Sequence, residues 1–102
     1  MIEQTISKEE ALALLREHKP VLAERFGVVE LALFGSTVRD EARPESDVDI
    51  LVSLRGARGW RSGYSDVLHY LEDLFGRPID LVVASDLRAE LRPYIEADAV
   101  YA

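Results

Sequence analysis

Three short apolar runs constrain this chain more than any other feature: VVELALF over residues 28–34, VDILVSL over 48–54 and IDLVVA over 79–84. Each is too short for a buried helix and has the length and β-branched content of a buried strand. Between the second and third runs, Tyr64, Val67, Leu68, Leu71, Leu74 and Phe75 recur at helical spacing and are followed by Gly76 and Pro78, which predicts a helix over 64–75. Ahead of the first run, Ser7-Lys8-Glu9-Glu10 reads as a capping box and predicts a helix from Lys8 to about Glu17. Pro20 is expected to end that helix or to open a second short one, with Gly27 at its C-terminus. Ser85 can cap a last helical stretch, which Pro93 should break near Arg92. Arg55 to Gly63, RGARGWRSG, reads as a loop by its glycines. Strands separated by helices within 102 residues predict one α/β (α+β) domain over 1–102, a small mixed sheet with helices packed on one face.

Two of the strands carry charge where an apolar residue is expected. Asp47 and Asp49 stand at the head of the second run, separated by Val48, and alternation puts both carboxylates on one face with Val48 and Ile50 on the other. Unpaired, they would repel and raise each other's proton affinity, and a divalent cation removes that cost. All-oxygen ligation without thiolates suits Mg²⁺, which keeps waters and substrate phosphates in its shell. Asp80, set among Ile79, Leu81, Val82 and Val83, is the third candidate ligand, provided its strand neighbours the second one. Taken alone, Asp80 reads as a strand-edge residue paired with an arginine.

Gly35-Ser36 ends the first run and should open a short helix through Thr37, Val38, Arg39 and Asp40. Glycine permits close approach of an anion, and a helix start presents unpaired amides. Ser36 and Arg39, three apart, can share one face of that turn and hold neighbouring phosphate oxygens. By itself a Gly-Ser pair is an ordinary cap beside a surface arginine. A phosphate cradle and a carboxylate pair on consecutive strand ends fit a nucleoside triphosphate whose Mg²⁺ bridges its phosphates.

Composition limits the class. A net charge of −7 disfavours unaided nucleic-acid binding, the absence of cysteine excludes disulfides and thiolate metal sites, and no window approaches a membrane span. The segment MIEQTISKEE lacks the pattern of a signal peptide, so a cytoplasmic protein is expected.

Gly35-Ser36, Arg39, Ser46-Asp47-Val48-Asp49 and the later Asp80 together resemble the signature of the DNA polymerase beta-like nucleotidyltransferase superfamily, and the short chain is most similar to its minimal nucleotidyltransferase (MNT) branch. The resemblance spans nearly the whole chain, from LALFGS through IDLVV to YIEADAVYA. It implies that Asp47 and Asp49 bind two Mg²⁺ ions, that Asp80 completes the catalytic metal site and helps deprotonate the attacking hydroxyl, and that Gly35 and Ser36 hold the β and γ phosphates with Arg39 nearby. Many MNT proteins are antitoxins paired with HEPN-domain toxins. The resemblance therefore implies ATP as substrate, AMP transfer to a tyrosine hydroxyl of a HEPN toxin, and a possible hetero-oligomer. The alternatives are an antitoxin that neutralises by binding alone, or transfer to a small-molecule hydroxyl.

Larger superfamily members carry acceptor-binding domains that these 102 residues lack, so the acceptor is expected from another molecule. Arg55, Arg58 and Arg61 around Trp60 read first as a solvated connection, and second as a surface for a phosphate or an acidic partner. His18 and His69 have no ligand partner at useful spacing, and Val67, Leu71 and Leu74 read as core.

Overall fold

The computed structural model describes residues 6–39, 47–55 and 60–102. Ser7 starts the first helix as a capping box requires: its hydroxyl accepts from the Glu10 amide at 3.1 Å, and the Glu10 carboxylate accepts from the Ser7 amide at 3.3 Å. That helix, α1, runs from Lys8 to Phe26 without stopping at Pro20, contrary to the expected end near Glu17. The reason is local and cheap. Pro20 lacks the amide that would reach the carbonyl of Arg16, an exposed residue that water can serve, while Leu12, Leu15 and Leu22 stay buried on one face. Gly27 closes the helix in the left-handed conformation at φ 74°, its amide returning to Ala23.

Four strands follow: β1 (Val28–Phe34), β2 (Val48–Leu54), β3 (Ile79–Val83) and β4 (Val100–Tyr101). They form one mixed sheet in the order β3-β2-β1-β4, with β2 parallel to β3 and the other pairs antiparallel. An irregularity between Val28 and Glu30 lets both Val28 and Leu31 reach the core. The helix after β2, α2, spans Trp60–Phe75, so it begins within the stretch expected to be a loop. Gly63, which suggested a loop, lies inside this helix, where a Cβ would stand 3.8 Å from Leu54 Cδ1 in the helix-sheet interface. Residues 56–59, including Arg58, and residues 40–46, including Asp40 and Ser46, lie outside the described set.

One face of the sheet carries the core. Leu31, Leu33, Val48, Ile50, Val52, Leu81 and Val83 pack there against Leu12, Leu15 and Leu22 of α1 and Val67, Leu71 and Phe75 of α2. At ~25 cal/mol per Å² of apolar surface, each such leucine or valine contributes about 1.5–3 kcal/mol before its ordering entropy is counted. A buried-edge contact joins the two helices: the His18 ring nitrogen Nδ1 and the Tyr70 hydroxyl are hydrogen-bonded at 2.6 Å, so His18 has a structural partner that spacing did not reveal.

The other face bears Ala32 and Phe34 of β1, Asp49 and Leu51 of β2, and Asp80 and Val82 of β3, by strand alternation and register. The stretch after β3 lies against β2 and β1: a 3-10 turn over Ala84–Asp86, then α3 (Arg92–Asp98). Pro93 begins α3 rather than breaking a longer helix, because a first-turn residue has no intrahelical amide bond to lose. Ser85 sits in the 3-10 turn and caps no helix. β4 was not expected; it is held by pairing with β1, by the Ala102 amide on the Leu31 carbonyl at 2.8 Å, and by Lys19 Nζ on the Ala102 carbonyl at 2.9 Å.

Because α1 is continuous through Pro20, Pro20→Ala restores a helical hydrogen bond and should raise unfolding free energy by about 1–3 kcal/mol in a urea titration. No gain, or a loss, would mean that the proline ends the helix.

Candidate functional site

β2 and β3 run parallel, tied at their start by the Val48 amide on the Pro78 carbonyl at 3.2 Å, and this register sets Asp49 directly beside Asp80. Antiparallel pairing on the other side sets Asp49 beside Phe34, the last residue of β1. The strand order thus places Asp80, Asp49 and Phe34 in a row across one face, at one end of the sheet.

Asp49 is half-buried, and its pKa is pushed up to about 6. Burial is the largest cause, followed by the charge of Asp80, a side-chain hydrogen bond to Asp80 and the charge of Asp47; the Ser36 amide, donating to Asp49, works in the opposite direction. A protonated Asp49 can donate to the Asp80 carboxylate.

Gly35 closes the other side of Asp49. It adopts φ 77°, and a Cβ built there would overlap Oδ2 of Asp49 and lie 2.9 Å from its Cγ. Glycine is required twice over, by conformation and by space. The turn that follows is a single 3-10 turn, Gly35–Thr37, shorter than the expected helix through Asp40. Its amides are also less free than expected. The Ser36 amide serves Asp49, and those of Val38 and Arg39 bond to the Gly35 carbonyl.

The six residues singled out in sequence therefore fare differently. Asp49, Asp80, Gly35 and Ser36 come together, and exposed Asp47 stands near enough for its charge to act on Asp49. Arg39 is directed to α3, where its guanidinium pairs with Asp98. Among the described residues no three acidic or histidine side chains already converge as a metal cage. The donor set nevertheless suits a hard cation: carboxylate oxygens only, close enough to share a proton, with no side chain filling the space beside Asp49 at Gly35.

Beyond Phe34 the face opens into a cavity of about 840 Å³ between the Gly35 turn and α3, lined by Phe34, Gly35, Arg39, Tyr94, Ile95 and Asp98 among others. Sequence reasoning missed this wall. Phe34 looked like part of an apolar run, and the pairing of Arg39 with Asp98 spans 59 positions of chain. The motif spacing carried no signal for either.

The description that matches this chain is the nucleotidyltransferase domain, over residues 15–102. The chain belongs to that family, and it is a nucleotidyltransferase of the minimal type. It is 40% identical over 96 residues to the protein adenylyltransferase MntA of Thermococcus cleftensis, an alignment that covers 94% of this chain and 96% of the relative. A solved structure provisionally described as a minimal nucleotidyltransferase matches with a TM-score of 0.77 at 32% identity, over 95% of this chain and 97% of the other. The fold also matches a structure of a tri-AMPylated Shewanella oneidensis HEPN toxin in complex with MNT antitoxin, with a TM-score of 0.56 at 18% identity, over 91% of this chain and 66% of that one.

The elevated pKa has a consequence for stability. The folded state holds the Asp49 proton up to about pH 6 while the unfolded chain releases it near the ordinary aspartate value of 3.8, so the native state binds more protons between those values and loses stability as pH rises through them. Asp49→Asn keeps an acceptor for the Ser36 amide and removes the charge. The variant should be more stable than the wild-type protein in metal-free urea titrations above about pH 6, with the difference vanishing near pH 4. Equal stability at both pH values would contradict the raised proton affinity of Asp49.

Proposed function

We propose that this nucleotidyltransferase moves AMP from ATP to a tyrosine hydroxyl of a HEPN-type partner and thereby acts as its antitoxin. The observation that carries the reading is the Asp49–Asp80 pair seated against the Gly35–Ser36 turn, in a chain 40% identical to a protein adenylyltransferase over almost its full length. The AMPylated HEPN toxin bound to an MNT antitoxin of the same fold supports the choice of partner.

In this reading Asp47, Asp49 and Asp80 hold Mg²⁺, two ions when a nucleotide is present. The metal supplies charge neutralisation for the carboxylates and the phosphates. Gly35 leaves room for the β and γ phosphates beside Asp49, and the Ser36 hydroxyl donates to one of their oxygens. Arg39 reaches the phosphates by exchanging Asp98 for them, a swap between two anions that leaves its charge paired throughout.

The chemistry balances on these groups. The acceptor oxygen forms a bond to the α-phosphorus, the bond from that phosphorus to the β-phosphate oxygen breaks, and pyrophosphate leaves. Asp80, the more exposed of the adjoining acids, takes the hydroxyl proton. Half-buried Asp49 stays fixed by the Ser36 amide and keeps the second carboxylate in place.

Incubation with ATP, Mg²⁺ and a HEPN protein from the same genome should add about 329 Da per AMP to that protein by mass spectrometry, and Asp47→Asn should slow the addition by at least about a hundredfold. An unmodified HEPN protein under saturating ATP would contradict the reading. Neutralisation of the toxin by Asp47→Asn at wild-type strength would assign the antitoxin role to binding alone.

A further inference from the structure

The cavity between the Gly35 turn and α3 lies next to the carboxylates without containing them. Phe34, which forms part of its wall, is the direct cross-strand neighbour of Asp49 on the same face. Gly35 belongs both to the cavity and to the space beside the Asp49 carboxylate. At ~4.8 Å between strands, Asp80 and Phe34 are about 10 Å apart across the sheet, roughly the reach from a nucleotide's phosphates to its base.

The lining has two parts: a polar one, with Arg39 paired to Asp98, and an apolar and aromatic one, Phe34 with Pro93, Tyr94, Ile95 and Ala97 of α3. Sugar hydroxyls and phosphates suit the first part, and a flat apolar ring suits the second. A volume of about 840 Å³ accommodates a nucleoside and stays within the ordinary size of ligand pockets.

Tyr94 has no role in the core. It is 77% exposed, the most exposed of the large apolar side chains among the described residues, yet it borders this cavity. An aromatic ring left in water at the mouth of a cavity is a platform for stacking, and sandwiching a base between it and the Phe34 side would bury both rings.

We infer that the cavity receives the nucleoside part of the nucleotide, with Tyr94 as the base-stacking residue that sets affinity for the nucleobase. The inference rests on the transferase reading above and adds to it the location of the base and a residue that reads it. Before the nucleotide binds, the Arg39–Asp98 pair holds α3, and hence Tyr94, beside the Gly35 turn.

Calorimetric titration with AMP-PNP and Mg²⁺, and separately with inorganic tripolyphosphate and Mg²⁺, tests this on wild-type protein, Tyr94→Ala and Tyr94→Phe. Tyr94→Ala should weaken AMP-PNP about tenfold, the usual loss of one base-aromatic stack, while Tyr94→Phe keeps it within about twofold. Tripolyphosphate should bind all three alike, because it has no base to stack. Unchanged AMP-PNP affinity in Tyr94→Ala overturns the inference; if that variant also fails to modify the HEPN protein, the cavity belongs to the acceptor instead. Equal weakening of tripolyphosphate would overturn it too, by showing a damaged phosphate site. A wild-type protein that binds no AMP-PNP would refute the transferase reading itself, a result separable from the others.

Discussion

Two carboxylates, Asp49 and Asp80, stand side by side across a parallel strand pair, and the rest of the site is arranged to make that tolerable. In water such a pair repels weakly; at this sheet end the burial of Asp49, and after it the charge of Asp80, hold a proton on Asp49 to about pH 6. The fold cannot relieve the strain by slipping, since a shift of one residue would expose Val48, Ile50 and Val52 and bury the acids in their place. Core packing on one face therefore enforces the acidic cluster on the other. Gly35 and the Ser36 amide complete the constraint, the first by leaving space beside the carboxylate and the second by donating to it.

This division between faces is the main design of the molecule. The face under α1 and α2 is closed by leucine and valine, and a continuous α1 covers it in spite of Pro20. The opposite face is only partly covered, by the 3-10 turn after β3 and by α3. Among the described residues an ion pair, Arg39 to Asp98, connects α3 to the turn beside the acids, and both partners line the cavity. Charge-bearing chemistry and its neighbouring pocket thus sit where loss of packing costs least. The solved minimal nucleotidyltransferase with a TM-score of 0.77 shares this fold over 95% of the chain.

What could be read in advance follows the range of the interactions involved. Val28–Phe34, Val48–Leu54 and Ile79–Val83 were legible because apolar alternation and flanking Gly27 and Pro78 act locally. Asp47, Asp49 and Asp80 were legible as misplaced charges, and the parallel register confirms that Asp49 and Asp80 adjoin. Pro20 and Gly63 misled because each is a breaker by propensity, overridden here by burial of Leu15 and Leu22 and by packing against Leu54. β4 is two residues long and exists through its partner β1, and Arg39 finds Asp98 only after the sheet is built. Neither leaves a local mark on the chain.

Above about pH 6 Asp49 gives up its proton beside Asp80, and the proposed Mg²⁺ and nucleotide would offset the cost of that charge. Thermal unfolding at pH 8 measures this directly, with Mg²⁺ and AMP-PNP added together to wild-type protein and to Asp49→Asn. The wild-type midpoint should rise by about 10 °C at about a hundredfold excess over the dissociation constant, and the variant, relieved of the repulsion but lacking the ligand, should gain far less. An equal rise in both proteins, or none in the wild type, would contradict that offset.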